Sequence, residues 1–497
     1  MGQKLVYPRD GLFLYGPVGD VAQLPTMRFG VIATADGARR FQTWAKTLRG
    51  FIDVPQPGPR SRAIEPQHVP FPGFTEAFHA DWPAEPSCTV ADLDPAQIDR
   101  ALKLENHHEA IRSAVDIFVT RLIAENNRIE NPPAFWFVVI PETVFELGRP
   151  RSTVKRGDRV RGTVTVSQRR ARELDVQPTL FGDEEREAEV YKYATHFRRQ
   201  LKARLLKEKI VTQIVRETTL TPGEFRRDNG MPVRRVEDPA TIAWKLGTGA
   251  YYKAGGKPWQ LADVRPGVCY VGLVYKRSEL TSDKRHACCA AQMFLTDGEG
   301  VVFRGALGPW FQTDTKQFHL DRTAAKSLIE MVVSEYARLH EAPPTELFIH
   351  AKSAFSDEEW DGFSKGCASE TNLVGVQIAD AHDDLKLFRP GSYPVIRGTV
   401  LYVGERNAFL WTSGYTPRLD TFMGSETPNP ISVRVLRGDC SLDTVLSDVL
   451  GLTKINFNSC LHNDRLPVTI RFANAVGDVL ISAPMDGEPK LPFKFYI

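Results

Sequence analysis

Six consecutive apolar residues, Phe135 to Ile140 (FWFVVI), constrain this chain more than any other stretch. A strand that is apolar on both faces leaves no side for water, which places it at the centre of a parallel sheet. The surrounding pattern agrees. Met27 to Thr34 (MRFGVIAT) reads as a second buried strand, followed by a helix from about Asp36 to Leu48, and strand-then-helix builds an α/β layer. Ile210 to Arg216 (IVTQIVR) is alternating and β-branched, a strand that carries Gln213. Asp238-Pro239 marks a helix start, an N-cap residue with proline at the first helical position, and that helix stops at Gly255-Gly256. Tyr7 to Pro17 is expected to form a short apolar strand. Pro55 to Pro86 is expected to cross the surface, and Pro95 to Asn126 to form one amphipathic helix.

From Val268 the pattern changes. VCYVGLVY, ACCAAQMFL and GVVFRGA read as three antiparallel strands, followed by a helix from about Asp321 to Leu339 and an inner strand ELFIH. Ser356 and Glu359 have the spacing of a capping box. Further strands follow, then a helix from Ser441 to Leu450. At 497 residues the chain can bury more than one core. The net charge of +2 means that any binding of a polyanion must come from local clustering. Seven scattered cysteines without CxxC or CxxH spacing argue against a structural zinc site. No signal region and no apolar run of roughly 18 residues is present, so a cytoplasmic protein is expected.

Three polar concentrations bear on chemistry. Between Tyr191 and Lys209 stand seven Lys/Arg and one acid, Glu208. Tyr193, Phe197, Leu201 and Leu205 recur every four residues, along one side of a helix, and Arg198 and Lys202 flank that stripe. Cations held at the edge of a packed face suit a single phosphate group; the alternative is an ordinary basic surface. Arg149 to Arg172 holds nine Lys/Arg and one acid, ahead of an acidic run at 183–189. It reads as a disordered or solvated loop with mutually attracting ends, or else as a contact for nucleic acid or a partner. His107 and His108 point about 100° apart on a helix and cannot easily share an ion. Asp380, His382, Asp383 and Asp384 read as a polar loop, and no P-loop or G-x-S-x-G elbow occurs.

FRRQLKARLL…KIVTQIVRETTL followed by TIAWKLGTGAYYKAGGKPW resembles the MID domain of short prokaryotic Argonautes. The PRDGL segment and the closing run with LTKINFN add to this resemblance, the latter to a PIWI domain. The fold it implies is α/β: a Rossmann-like MID domain with an N-terminal segment over 1–260, then an RNase H-like PIWI domain over 261–497. Arg198, Lys202, Gln213 and Lys245 are implied to bind the 5′-phosphate of a guide, with Mg²⁺ held by Gln213 and the carboxylate of Ile497. Lys454, Asn456 and Asn458, with Thr453, are implied contacts to the guide or target backbone. Two-metal cleavage needs carboxylates where this chain has Val274, Lys352 and Asn474, so the expectation is binding without cutting. The alternative is an active guide-directed nuclease whose acids lie elsewhere. The resemblance further implies a guide RNA and a single-stranded DNA target. It also implies a heterodimer with an APAZ-containing effector (sirtuin-like, TIR or nuclease), a higher oligomer on activation, and NAD⁺ depletion in defence against plasmids and phages.

Overall fold

The computed structural model describes residues 3–19, 26–54, 68–176, 182–262, 265–277, 287–294, 300–312, 314, 316–381, 385–422, 426–458, 460, 464–484 and 491–497. Strands β1 (Phe29–Ile32), β2 (Cys88–Val90), β3 (Phe135–Ile140) and β4 (Thr212–Arg216) form a parallel sheet in the order β2-β1-β3-β4. Every residue of β3 is buried. Its alternate residues Phe135, Phe137 and Val139 pack with Phe29, Phe41 and Trp82, while Trp136, Val138 and Ile140 pack on Ile111, Val115 and Phe118. A strand sandwiched between two cores has no use for polar residues, which explains the unbroken run.

The second sheet is mixed. Its strands are β5 (Val268–Arg277), β6 (Ala287–Phe294), β7 (Gly300–Gly308), β10 (Glu346–Ala351), β11 (Asn372–Asp380), β12 (Val400–Gly404), β13 (Asn407–Leu410), β14 (Ile431–Arg437) and β15 (Leu491–Pro492). Between them lies a separate small hairpin, β8 (Phe311–Gln312) with β9 (Gln317–Phe318). The nine strands run in the order β12-β13-β14-β11-β10-β5-β6-β7-β15, with β5, β10 and β11 parallel to one another. Helices Leu442–Leu452 and Val468–Leu480 cover one face, Arg322–His340 and Asp357–Gly366 the other. Gly272 allows close packing: a Cβ there would collide with the carbonyl of Thr469.

Several expectations need correction. Residues Pro8–Tyr15 form a helix, not a strand, because Pro8 sits at a helix start where its missing N–H is no loss. The stretch 95–126 is two helices, Pro95–Leu102 and His107–Arg128; the Asn106 side chain accepts from the N–H of His108 (3.0 Å) and Glu109 (3.3 Å) and so starts a new helix. Of the expected surface excursion, 55–67 lies outside the described residues, and beyond it Phe71, Phe74, Phe78 and Trp82 are core residues. Ser356 does cap its helix, but the Glu359 carboxylate turns inward to His319 Nδ1 (3.3 Å) and the Leu320 N–H (3.1 Å), so the box is half made. The 149–172 segment is largely exposed, as expected of a solvated stretch, and its attraction to the acidic run is seen where Arg170 pairs with Glu184 (2.9 Å), but its backbone is also tied down by hydrogen bonds to Glu109 and Glu187. No helix among the described residues is long and apolar enough to cross a membrane.

Candidate functional site

Helix Phe197–Leu205 lies between the two sheets. Phe197, Leu201 and Leu205 pack into the core of the parallel sheet, whereas Ala203 packs into that of the mixed sheet. Tyr193 is not on this helix; its backbone is extended, and its ring joins the mixed-sheet core. A helix covered on two sides has little free surface, and Lys202, expected at the edge of a packed face, is 2% exposed. Its ammonium donates to the Ile497 main-chain oxygen (2.5 Å), the Thr212 carbonyl (3.0 Å) and Thr212 Oγ1 (3.4 Å). Those three acceptors use all three of its donors, and none is a side-chain carboxylate.

Two further cations face it. Arg198 lies one helical turn earlier. Its side chain is exposed, at the solvent edge of the cluster, where burial, then Arg199, lowers its pKa. Lys253, in the last turn of helix Pro239–Ala254, is fully buried and donates to Asn458 Oδ1 (3.1 Å). Burial, then Arg198, pushes its pKa down to about 7. Lys202 is pushed well below the usual lysine range by burial, then by Lys253 and Arg198. Among the described residues, no side-chain carboxylate pairs with any of the three. Gln213 points into the same region: its Oε1 is buried without a partner, and its amide N–H lies 3.4 Å from the Ile214 carbonyl. Buried like charges are costly; the Ile497 main-chain oxygen offsets Lys202 alone, and an anion that enters relieves the rest of that cost.

The structure brings Arg198, Lys202, Gln213 and Ile497 together and leaves Lys245 out. Lys245 is on the same helix stripe but two turns before Lys253, and it pairs with Glu237 (2.5 Å) near the surface. Lys253 takes the position expected of Lys245; its place in the final turn before Gly255 was the available signal. The 453–458 turn is also used differently from expectation. Thr453 Oγ1 donates to the Leu450 carbonyl (2.6 Å) and accepts from Arg397 (2.7 Å). Asn456 is buried, donating to Asp464 (2.7 Å) and accepting from the Asn458 N–H (3.1 Å). Thr453 and Asn456 are therefore parts of a structural turn, not free donors for a strand. Lys454 donates to the Val6 carbonyl (2.8 Å), and only Asn458 faces the recess, through Lys253.

A metal ion alone does not suit this recess, since three cations border it and, among the described residues, no side-chain carboxylate does. It fits together with a phosphate, whose charge would offset the lysines; the orphaned Gln213 Oε1 and the Ile497 main-chain oxygen are then the available ligands.

Of the positions expected to need acids for cutting, two lie at one sheet end: β10 pairs with β5 through Ala351 opposite Leu273, so Lys352 follows directly beside Val274. Asn474 donates to the Ile470 carbonyl (3.1 Å) within its own helix. The nearest acid on that helix, Asp478, is held by Arg199 (2.6 Å) and Lys276 (2.9 Å). Among the described residues, no three His, Cys, Asp or Glu side chains gather as metal ligands. His107 and His108 bond separate carbonyls, of Arg149 (2.9 Å) and Tyr193 (3.1 Å). Asp380 pairs with Arg465, and 382–384 lie outside the described residues.

No protein-family model matches the sequence, and no curated protein does. Among solved structures the chain superimposes on Clostridium butyricum Argonaute bound to a guide DNA and a 19-mer target DNA, with TM-score 0.60 and 14% identity, over 99% of this chain and 52% of that one. It also superimposes on Aa-Ago with externally bound siRNA (TM-score 0.55, 14% identity, 99% and 53% covered) and on Aquifex aeolicus Argonaute (0.53, 14%, 98% and 54%). The chain spans about half the length of these structures and shares their fold, the parallel sheet and the mixed sheet matching a MID and PIWI-like arrangement.

Proposed function

We propose that this chain seats the 5′-terminal phosphate of a guide strand in the recess of Arg198, Lys202, Lys253 and Gln213, and presents the rest of the strand for pairing with a target. One observation carries this reading: two buried lysines and an arginine at their solvent edge converge with no acidic side chain among the described residues to neutralise them. Arg198, with no partner among the described residues, and Lys253, with one, have donors left for a phosphate. Lys202 supplies charge and ties Ile497 to β4. Mg²⁺, held by Gln213 and Ile497, would add positive charge beside the phosphate. Sequence choice then lies in base pairing, while the protein contacts phosphates and duplex shape.

The strand-end position of Val274 and Lys352 supports binding without cleavage, since an ammonium beside the metal sites would repel the ions that the chemistry needs. A chain that binds and does not cut needs an effector. On the resemblance to short Argonautes, we assign that role to an APAZ-containing partner with a sirtuin-like or TIR domain. This cytoplasmic heterodimer would be switched on by an RNA guide paired with single-stranded DNA, and would form a higher oligomer when active.

The test compares 5′-phosphorylated and 5′-hydroxyl RNAs of one sequence. A preference of about 10–100-fold for the phosphate is expected, from charge-assisted hydrogen bonds worth about 1.5–3 kcal/mol, and equal affinities overturn the reading. Incubation of the loaded protein with matched target and Mg²⁺ or Mn²⁺ should leave the target intact.

A further inference from the structure

The 149–172 segment has no part in the function proposed above, yet it is built with care. It leaves the parallel-sheet unit at Gly148, whose carbonyl accepts from the Phe197 N–H (2.9 Å), so its root adjoins the first residue of the recess helix. Glu109, a buried carboxylate, accepts from the Thr163 N–H (2.8 Å) and hydroxyl (2.7 Å). A Cβ on Gly162 would collide with that carboxylate, so the glycine is what lets the segment come so close. Val160 bridges to the chain at Leu104, and Glu187 accepts from the Thr165 N–H (2.7 Å) and the Val166 N–H (3.2 Å). Tyr191 closes the far end by donating to the Val166 carbonyl (2.8 Å). Glu109 and Glu187 are thus spent on holding its backbone, which leaves the exposed Asp158 as the acid within the stretch.

The cations are left facing outward. Arg149, Arg151, Lys155, Arg156, Arg159 and Arg161 are all exposed, and none has a carboxylate partner among the described residues. Elsewhere the surface pairs its charges freely, as Arg39 with Glu224 (2.7 Å) and Arg121 with Asp92 (3.0 Å). The root of the segment is also within electrostatic reach of the recess helix, since Arg199, Arg198 and Arg149 all act on His196, the residue before that helix.

We propose that this segment is a rigid basic ledge that holds backbone phosphates of nucleic acid adjacent to the terminal-phosphate recess. Arg149 lies over the Phe145 ring (3.5 Å), whereas Arg151 to Arg161 stand on a pinned backbone with no aromatic residue in their own stretch, which suits phosphodiester contacts, not base stacking. The proposal rests on the guide reading only in placing the nucleic acid. The phosphates belong either to the guide or to a paired strand that continues past the guide's 5′ end.

The experiment measures affinity between about 50 and 200 mM salt for the parent and for the Arg156→Ala/Arg159→Ala/Arg161→Ala variant, with exposed side chains whose loss spares the core. Three ligands are used: guide alone, guide with a flush target, and guide with a target running past its 5′ end. The expected result is a salt slope shallower by about two in the variant, since each single-strand phosphate contact contributes about 0.7. A change already present with guide alone assigns the ledge to the guide, and a change confined to the overhanging target assigns it to the paired strand. Identical slopes and affinities for all three ligands overturn the proposal, as does a variant that loses only its association with an acidic protein. The preference for 5′-phosphate over 5′-hydroxyl should be unchanged in the variant. A parent that lacks this preference would sink the guide reading while leaving the ledge measurable.

Discussion

The recess at helix Phe197–Leu205 and the sheet end at Val274 and Lys352 treat charge in opposite ways. In the recess, Arg198, Lys202 and Lys253 crowd together without an acidic side chain, and the protein bears the penalty. At the sheet end charge is settled internally: Asp478 is held between Arg199 and Lys276, and Lys352 is exposed to water. A buried charge that the fold leaves unbalanced points to a ligand from outside. A balanced one points to structure. Arg199 and Arg198 are neighbours on one helix, so a single helix serves both situations.

Four measurements sharpen or break this contrast. Lys202→Glu should have the greatest effect, weakening 5′-phosphorylated guides by about 2–5 kcal/mol while 5′-hydroxyl guides change little; equal losses for both would remove the recess from the argument. Lys253→Met should weaken the phosphorylated guide by about 1.5–3 kcal/mol, yet raise the unfolding temperature of the empty protein, because a buried charge is exchanged for an apolar side chain. A lower unfolding temperature would show that Lys253 is not under strain.

The pH dependence should have two signs. Lys253 is depressed to about 7 in the folded protein, so between pH 7 and its ordinary value near 10.5 the unfolded chain binds a proton that the folded one does not. Stability contributed by this group therefore rises with pH through that window, whereas affinity for a phosphate falls as pH exceeds 7, by at most about tenfold per unit. Calorimetry and anisotropy titrations at pH 6, 7 and 8 would read both; parallel trends would contradict the assignment. The least change is expected from Val274→Asp/Lys352→Asp, which should gain no cleavage on a gel, because Asp478 stays engaged by its two cations. A cut product would mean that the sheet end lies closer to a nuclease than its ion pairs suggest.

Much of this was legible in the sequence because it depends on local rules. The unbroken FWFVVI run gives a doubly covered strand, Asp238-Pro239 gives a helix start, and Arg198 with Lys202 gives two cations one turn apart. What the sequence left open depends on distant neighbours. Lys245 and Lys253 share a helix stripe, and apart from Lys253's place in the final turn they are told apart by distant partners, Asn458 lying 205 residues from Lys253. Asn456 and Thr453 have the same polar character as Asn458, and their inward bonds to Asp464 and Leu450 follow from the docking of that turn. The ordering of 149–172 likewise depends on Glu109, which lies inside a helix that the sequence pattern ran on from Pro95 without a break.

The 453–460 turn grows from a helix of the mixed sheet, yet it grips the other half of the molecule: Asn458 through Lys253, Lys454 through Val6, and the Cys460 carbonyl through Arg9 (3.1 Å). An occupant of the recess would sit astride this seam and act as mortar. Amide hydrogens of β4, of the Phe197–Leu205 helix and of the turn should then slow together on loading, as the two halves cease to breathe independently.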